Sequence, residues 1–418
     1  MMHGGAISKI MRGILESGSW LSEQRLRVYP LMLLSFAVVA VAAMVATAHG
    51  RFDATGRQLG TDFSQVWVAG LETLRGHPEE PFDVARHIGE QRAEFGQNSN
   101  VYGWHYPPYF LAPAALLAHL SYLQALTVWQ IATLALYLTA VVAILRDSGL
   151  PRARIVVTAL AFPAVLINLG HGQNGFLTAA LLGGGFLLLE RRPLLAGTLL
   201  ALLAYKPQFG LVIPATLIAG RHWRAVASAA VTLALMTVAT VAAFGLESWV
   251  AFARNLAFTR EFVIERGAAG FEKIQSVFAG VRLIGGGVQT AYAAQAVITL
   301  LAMAAVILLW RSNTDRRIKG AAAIMATLLT TPYCLDYDMM ALGPAIALMG
   351  AHGVENGFGP FEKTCLVLAF AAPLVARPLA TLLPLPIGAL TMMAVFALIV
   401  WNARRDEALA ASKPFATA

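Results

Sequence analysis

The stretch Tyr29-Pro-Leu-Met-Leu-Leu-Ser-Phe-Ala-Val-Val-Ala-Val-Ala-Ala-Met-Val-Ala-Thr-Ala48 is a predominantly apolar run. Its length of about 20 residues is what an α-helix needs to cross the hydrocarbon core of a bilayer. The run ends in Ala46-Thr47-Ala48, which resembles the cleavage site of a secretory signal peptide. However, the polar lead before it is too long for a signal peptide. We therefore predict an uncleaved first transmembrane helix.

The rest of the chain is similarly apolar. Hydrophobic residues make up 58% of the 418 residues, charged residues only 13%, and the mean hydropathy is +0.64. The hydrophobic fraction and the mean hydropathy are higher, and the charged fraction is lower, than in soluble proteins. No internal repeat and no Gly/Ser-rich linker divides the chain. The composition therefore predicts an all-α polytopic membrane protein with one membrane domain over residues 1–418.

The distribution of Lys and Arg residues predicts the topology. Most of them lie in short connectors at alternate ends of the apolar runs, and such connectors are cytoplasmic. These residues are Lys9, Arg12, Arg25, Arg27, Arg146, Arg152, Arg154, Arg191, Arg192, Arg221, Arg224, Arg311, Arg316, Arg317, Lys319, Arg404 and Arg405. We predict about twelve spans in a plasma (inner) membrane, with both termini cytoplasmic. The net charge of +8 does not indicate nucleic-acid binding, because no compact basic patch with interleaved aromatic residues exists.

The longest polar segment, residues 51–107, is the predicted first extracytoplasmic loop, and it contains 8 of the 23 acidic residues. The apolar run that follows, residues 108–120, begins with Pro108 and is interrupted by Pro113. It is too short for a span, so we predict an interfacial or re-entrant helix. A second large extracytoplasmic loop is predicted at residues 247–287. Surface chemistry is expected in these loops.

Four short motifs lie at predicted outer ends of apolar runs. They are Thr61-Asp62-Phe63, Tyr106-Pro107-Pro108, Gly172-Gln173-Asn174 and Ala204-Tyr205-Lys206-Pro207-Gln208. In their order and their placement on one face, they resemble the polyprenol-phosphate-sugar-dependent glycosyltransferases of the GT-C superfamily, most closely glycosyltransferase family 87. The resemblance covers most of the N-terminal half, whereas the C-terminal third matches only in its pattern of apolar spans.

The resemblance implies a GT-C-like helical bundle and an integral membrane glycosyltransferase of cell-envelope or glycolipid biosynthesis. The donor would be a polyprenyl-phosphate sugar, with mannose the sugar that the family suggests. The acceptor would be an extracytoplasmic hydroxyl of a glycolipid or glycan. Attack opposite the phosphate would invert the anomeric centre. Membrane lipids are the other expected partners, and no nucleic acid is expected.

Asp62 is the predicted general base, since the resemblance implies an acidic base in the first outer loop and a sugar hydroxyl needs a carboxylate to take its proton. The stretch Phe63–Gly70 that follows is predicted to be an amphipathic helix at the membrane surface, where desolvation would raise the pKa of Asp62. The alternative is that Asp62 only caps this helix. Asp53 is the reserve candidate. The acids from Glu72 to Glu94 are predicted to form solvated helix faces.

The donor phosphate needs cationic partners as negative charge develops on its bridging oxygen. Lys206 is the first candidate, although it could instead extend to lipid headgroups. Arg254 and Arg260 in the second outer loop are further candidates, with ordinary loop charges as the alternative.

A larger set of polar residues is predicted to bind the sugar or the acceptor. The set is His105, Tyr106, His171, Gln173, Asn174, Gln208, Asp336 and Asp338. Other roles stay open for several of them. Asn174-Gly175 is also ordinary turn chemistry, His105 could be structural, and the two aspartates could lie in headgroup water. Nearby aromatic residues suit sugar stacking or an interfacial belt.

No His, Asp or Glu cluster has metal-ligand spacing, so we predict a metal-independent reaction without a cofactor. No phosphate-binding loop or dinucleotide fingerprint is present, which argues against a nucleotide-sugar donor. The main alternative function is a transporter or flippase of a lipid-linked or small polar solute. Such proteins tend to contain repeats and midplane ionisable groups, whereas here the polar residues lie at outer helix ends. A membrane scaffold is a third class, but it does not account for Lys206.

Overall fold

The computed structural model describes residues 2–412 and, within them, the side chains of residues 8–405. This part of the chain is 75% helical and contains no β-strand. The α-helices are α1 Met2–Ser17, α2 Glu23–Ala46, α3 Phe63–Leu74, α4 Val84–Phe95, α5 Leu111–Ala118, α6 Tyr122–Ile144, α7 Arg152–Leu160, α8 Pro163–His171, α9 Gly175–Leu188, α10 Pro193–Ala201, α11 Val212–Ala219, α12 Trp223–Phe258, α13 Val277–Leu283, α14 Val288–Arg311, α15 Arg316–Leu329, α16 Leu342–Asn356, α17 Glu362–Leu382 and α18 Ile387–Ser412.

Six of the helices in the described chain are long and apolar enough to cross a membrane: α2, α6, α12, α14, α17 and α18. A seventh span results if α7 and α8, which meet at a bend of 57°, are counted together. The predicted polytopic, all-α membrane protein is thus confirmed. The predicted number of about twelve spans is not confirmed.

The structure has fewer candidate spans than predicted because several apolar runs form helices too short to cross a membrane. The segments Pro108–Ala118, Gly175–Leu188, Pro193–Tyr205 and Pro207–Ala219 contain only 10–17 residues each. At about 1.5 Å per residue they are shorter than a hydrocarbon core of about 30 Å. Gly175–Leu188 packs inside the bundle, as does α15 from Gly320 to Leu329, whereas the other three each bury one face and expose leucines on the other. A helix does form at the predicted interfacial segment, and its place in the membrane stays a prediction.

The predicted second outer loop is partly helical. Helix α12 is kinked at Gly245, whose φ of 73° and ψ of 162° are conformations that glycine adopts without strain. The helix then continues to Phe258 and into a π-helical turn, Thr259–Glu265. The longest non-helical part of this region, residues 266–276, lies between the turn and α13, and it carries Lys273.

The segment between α2 and α5 is packed against the bundle. The predicted helix over Phe63–Gly70 does form, as the start of α3, but every residue of this stretch is buried, so its predicted position at a surface is wrong. Helix α3 lies directly on α5, because a Cβ on Gly70 would stand 2.1 Å from the carbonyl oxygen of Ala114. Glu72 is also buried and is hydrogen-bonded to His87 Nδ1 at 2.8 Å, and burial raises the pKa of Glu72. The prediction of a solvated face is therefore wrong for this acid.

Candidate active site

Asp62 lies at the N-terminal end of α3 and is only 6% exposed. Gln173 Nε2 and Lys273 Nζ each donate to its Oδ2 atom at 3.2 Å. Its Oδ1 atom has only longer contacts, 3.5 Å to Thr61 Oγ1 and 3.8 Å to His171 Nδ1. The side chain makes no capping hydrogen bond to α3, although Asp62 is at the N-cap position. Helix capping therefore does not account for this carboxylate.

A glycine brings Gln173 to Asp62. Helix α8 ends at Gly172, which has a φ of +63° and terminates the helix in the left-handed conformation. A Cβ at this position would stand 2.6 Å from Cβ of Phe63. Glycine is thus required both for the backbone angle and for the close approach of α8 to the start of α3.

A buried hydrogen-bonded chain fixes the amide of Gln173. The hydroxyl of Tyr106 donates to Gln173 Oε1 at 3.0 Å, and Asn174 Nδ2 donates to the Tyr106 hydroxyl at 2.9 Å. Because the amide oxygen of Gln173 accepts from Tyr106, its NH₂ group faces the Asp62 carboxylate. The motifs Tyr106-Pro-Pro and Gly172-Gln-Asn thereby support one carboxylate.

Backbone pairing places Lys273 beside Asp62. The N–H of Asp336 donates to the carbonyl oxygen of Lys273 at 3.0 Å, and the N–H of Gln275 donates to that of Cys334 at 2.6 Å. Asp336 in turn lies 3.4 Å from Nη1 of Arg377 on α17. The five ionisable residues Asp62, His171, Lys273, Asp336 and Arg377 therefore form one group, here called the Asp62 cluster, whose charges act on one another.

The two carboxyl groups of the Asp62 cluster have pKa values shifted in opposite directions. Burial acts to raise the pKa of Asp62, but the charges of Lys273 and His171 and the hydrogen bonds to the carboxylate outweigh it and lower the pKa. The expectation of a raised pKa is therefore wrong. For Asp336, burial dominates over the nearby cations and raises the pKa. Asp62 is thus the carboxylate held in its ionised form.

Lys206 forms a second buried ion pair, with Asp338, next to the Asp62 cluster. Both side chains are 2% exposed, and the ammonium donates to Asp338 Oδ1. The N–H of Leu335 donates to Asp338 Oδ2 at 2.9 Å. The ammonium also lies over the rings of Phe209 and Tyr337, 5.5 and 5.1 Å from their centroids. Protein groups therefore surround both side chains of this pair.

The remaining predicted residues lie apart from Asp62. His105 Nδ1 is hydrogen-bonded to Thr259 Oγ1 at 2.9 Å, and burial lowers its pKa to about 4, so its ring is neutral at pH 7. Gln208 is half-buried and Arg254 is exposed. Arg260 is exposed and pairs with Glu265 at 3.5 Å. No contact in the described chain joins the last three to the Asp62 cluster, so their predicted roles stay predictions.

The structure thus brings some of the predicted site residues close together. Asp62, Tyr106, His171, Gln173, Asn174 and Asp336 come together, with Lys206 and Asp338 beside them. The sequence reading missed Lys273 as a site residue and missed Arg377 altogether. Arg377 did carry a signal, since an arginine inside an apolar, membrane-length helix is costly unless it serves a function.

Within the described residues, no group of three or more His, Cys, Asp or Glu side chains is arranged to hold a metal ion. Comparison with known proteins gives one match. The family model "Glycosyltransferase family 87" matches residues 104–333, more than half of the chain. The matched segment includes Tyr106, Gln173, Lys206 and Lys273 but begins after Asp62 and ends before Asp336. No curated protein and no solved structure matches the chain.

Proposed function

The chain belongs to glycosyltransferase family 87 and is a membrane glycosyltransferase that uses a sugar donor and an acceptor, and we propose that its donor is a polyprenyl-phosphate hexose. Mannose is the sugar suggested by resemblance, and a glycolipid or glycan hydroxyl on the extracytoplasmic face of the plasma membrane is the acceptor. The site proposed for this reaction is the Asp62 cluster.

The observation that carries the proposal is the asymmetric environment of Asp62. Its Oδ2 atom is bound by Gln173 and Lys273, whereas Oδ1 has no polar neighbour closer than 3.5 Å. Oδ2 is therefore anchored, whereas Oδ1 has only long contacts with Thr61 and His171, and we assign it as the oxygen that accepts a proton. The lowered pKa keeps the carboxylate ionised. A fixed, ionised carboxylate can take the proton of a hydroxyl within hydrogen-bond reach of Oδ1, and its lowered pKa makes it a weaker base than one that titrates near pH 7.

In the proposed step, Oδ1 of Asp62 takes the proton of the acceptor hydroxyl as its oxygen attacks the anomeric carbon. The new carbon–oxygen bond forms as the bond from the anomeric carbon to the phosphate oxygen breaks, and the electron pair of that bond leaves with the phosphate. The products are the inverted glycoside, a protonated Asp62 and a polyprenyl phosphate that carries one more negative charge. The proton then passes from Asp62 to water.

Lys273 is the cation that we assign to the developing phosphate charge. Its ammonium has three N–H donors, and Asp62 takes only one of them. Lys206, the first candidate by sequence, is already paired with Asp338 and enclosed by Phe209 and Tyr337. We therefore assign Lys206 and Asp338 a supporting role next to the site. Gln173, Asn174 and Tyr106 hold Asp62. We assign His171, whose Nδ1 atom is hydrogen-bonded to Thr61 Oγ1 at 2.8 Å, and Asp336 to the substrates.

The test is a transfer assay with purified protein in nanodiscs, labelled polyprenyl-phosphate mannose and a membrane lipid extract. Asp62→Asn keeps the shape of the side chain but removes the base, so product formation should fall about 10²- to 10⁴-fold while donor binding is retained. Asp53→Asn is the matched control, because Asp53 accepts only from Thr55 and Arg57 within its own turn. It should retain activity within about twofold.

Two results would contradict the proposal. If Asp62→Asn forms product at the wild-type rate, Asp62 is not the base. If the wild-type protein consumes no polyprenyl-phosphate sugar, whatever hexose it carries, the donor class is wrong.

A further inference from the structure

An apolar groove of about 360 Å³ leads to the Asp62 cluster. Its walls come from α2, from the bend between α7 and α8, and from α17. Its volume is within the range of about 300–1,000 Å³ typical of sites for small molecules. Apart from His171, Asp336 and Arg377 at one end, every residue that lines it is apolar.

The groove is open because of loose packing or a helix bend in each of its three walls. Helix α2 is packed loosely, since Pro30 is its only buried residue. The bend of 57° lies between Leu160 and Pro163, and the residues of the break line the groove. On α17, the lining residues Pro373 and Pro378 cannot donate a backbone hydrogen bond, which favours a bent helix. All three walls belong to helices of membrane-spanning length and composition.

The polar end of the groove suits a phosphate. The Arg377 side chain is 44% exposed, and among the described side chains its one ionic contact is to Asp336 at 3.4 Å. Most of its guanidinium donors are therefore free, and a guanidinium binds phosphate oxygens in pairs. The end that carries Arg377 also carries His171, whose Nδ1 atom lies 3.8 Å from Asp62. A sugar attached to a phosphate at this place would be next to the proposed base.

We propose that this groove binds the chain of a polyprenyl phosphate, and that Arg377 binds its phosphate. The assignment rests on the proposed function, which supplies the identity of the lipid. The wall chemistry supports one long apolar chain, and the single free cation at the end supports one phosphate. Arg377 lines this end of the groove and contacts Asp336 at 3.4 Å, and the backbone of Asp336 pairs with that of Lys273. Arg377 lies outside the segment that the family model matches.

The experiment measures binding without transfer. Sugar-free polyprenyl phosphate and the uncharged polyprenol of the same chain length are titrated into purified full-length protein in nanodiscs. Leu374→Trp fills the groove from α17, and Leu33→Trp fills it from α2. Leu368→Trp is the matched control, because Leu368 is similarly exposed on the same helix but does not line the groove. Melting temperatures show which variants are folded.

Both groove-filling variants should bind polyprenyl phosphate at least about tenfold more weakly, while Leu368→Trp stays within about twofold. Arg377→Gln should weaken binding of polyprenyl phosphate about tenfold or more and leave polyprenol unchanged, since only the phosphate needs the charge. Arg92→Gln, an exposed arginine of α4, is the control for net charge and should change neither value.

Wild-type affinity in the folded groove-filling variants would overturn the proposal. Phosphatidylglycerol that competes as well as polyprenyl phosphate would also overturn it, because the groove would then be a general lipid contact. The proposed function is tested separately by transfer. If Leu374→Trp transfers sugar normally, the groove assignment fails and the proposed function stands. If lipid binding depends on the groove but no sugar is ever transferred, the groove assignment stands and the proposed function fails.

Discussion

Residues 8–405 contain two buried lysine–aspartate pairs that lie near each other, and the pairs differ in how many of their donor and acceptor atoms already have partners. In the pair of Lys206 and Asp338, both carboxylate oxygens accept a hydrogen bond, two aromatic rings cover the ammonium, and both side chains are 2% exposed. In the pair of Asp62 and Lys273, one carboxylate oxygen is free of short contacts and the Lys273 side chain is 11% exposed.

The comparison distinguishes an ion pair that holds a structure from one that can act on a substrate. A closed pair has no donor or acceptor left for a ligand, and breaking it leaves an uncompensated buried charge. An open pair has N–H donors or carboxylate oxygens left for a ligand. By this criterion we assign Lys206 and Asp338 to stabilising the bundle beside the proposed site, and Asp62 and Lys273 to the proposed chemistry.

The largest expected effect on stability comes from Lys206→Met. It leaves the charge of Asp338 buried without its partner, which should cost about 3–5 kcal/mol of unfolding free energy. Thermal unfolding in detergent measures it. Adding Asp338→Asn removes the orphaned charge and keeps an acceptor for the N–H of Leu335, so the double variant should recover part of the loss. A stable Lys206→Met with a donor KM raised tenfold would instead support Lys206 as a phosphate-binding residue.

Lys273→Met should have the next largest effect, this time on catalysis. Loss of the cation at the developing phosphate charge should reduce kcat about 100-fold. It also removes the main charge that lowers the pKa of Asp62, so burial should raise that pKa. Below its pKa the carboxyl is protonated and cannot accept the hydroxyl proton. The acid limb of the pH–rate profile should therefore move to higher pH.

Lys273→Arg is the control for this shift, because it keeps the charge and should keep the acid limb near its wild-type pH. An acid limb that does not move in Lys273→Met would show that Asp62 is not the group that titrates in the reaction.

The smallest effects are expected for Arg254→Gln and Arg260→Gln. Both side chains are exposed, and Arg260 pairs with Glu265 at the surface. Exposed ion pairs contribute about 0–1 kcal/mol to the free energy of unfolding. The donor KM should therefore stay within about twofold of wild type, and the melting temperature within a few degrees. A tenfold rise in donor KM for either variant would add that arginine to the phosphate site and weaken the distinction between the two lysines.

Composition was enough to predict an all-helical membrane protein, but not the number of spans. Apolar runs such as Gly175–Leu188 look like spans when read by hydropathy, yet they are short helices packed inside the bundle. Hydropathy indicates that a side chain avoids water, but it does not distinguish a side chain that faces lipid from one that packs against protein. Helix length separates the two cases better than hydropathy does.

The local motifs predicted part of the site because they lie at helix ends that meet. Gln173 follows the glycine that ends α8, and this glycine sits against Phe63, the residue after Asp62. Lys273 was not predictable in this way, since its place depends on backbone pairing with a segment more than 60 residues later, at Cys334 and Asp336. Sequence spacing contains no information about such a contact. The pairing of Lys206 with Asp338 was hidden from the sequence for the same reason, because 132 residues separate the two.

The most direct test of the two-pair distinction measures sugar transfer and thermal unfolding side by side for Asp62→Asn and Asp338→Asn. We predict that Asp62→Asn loses transfer about 100-fold or more with little change in melting temperature. Asp338→Asn should lose melting temperature instead, because it leaves Lys206 charged and buried. The reverse pattern, with transfer lost in a stable Asp338→Asn and retained in Asp62→Asn, would contradict the assignment and place the chemistry at Lys206 and Asp338.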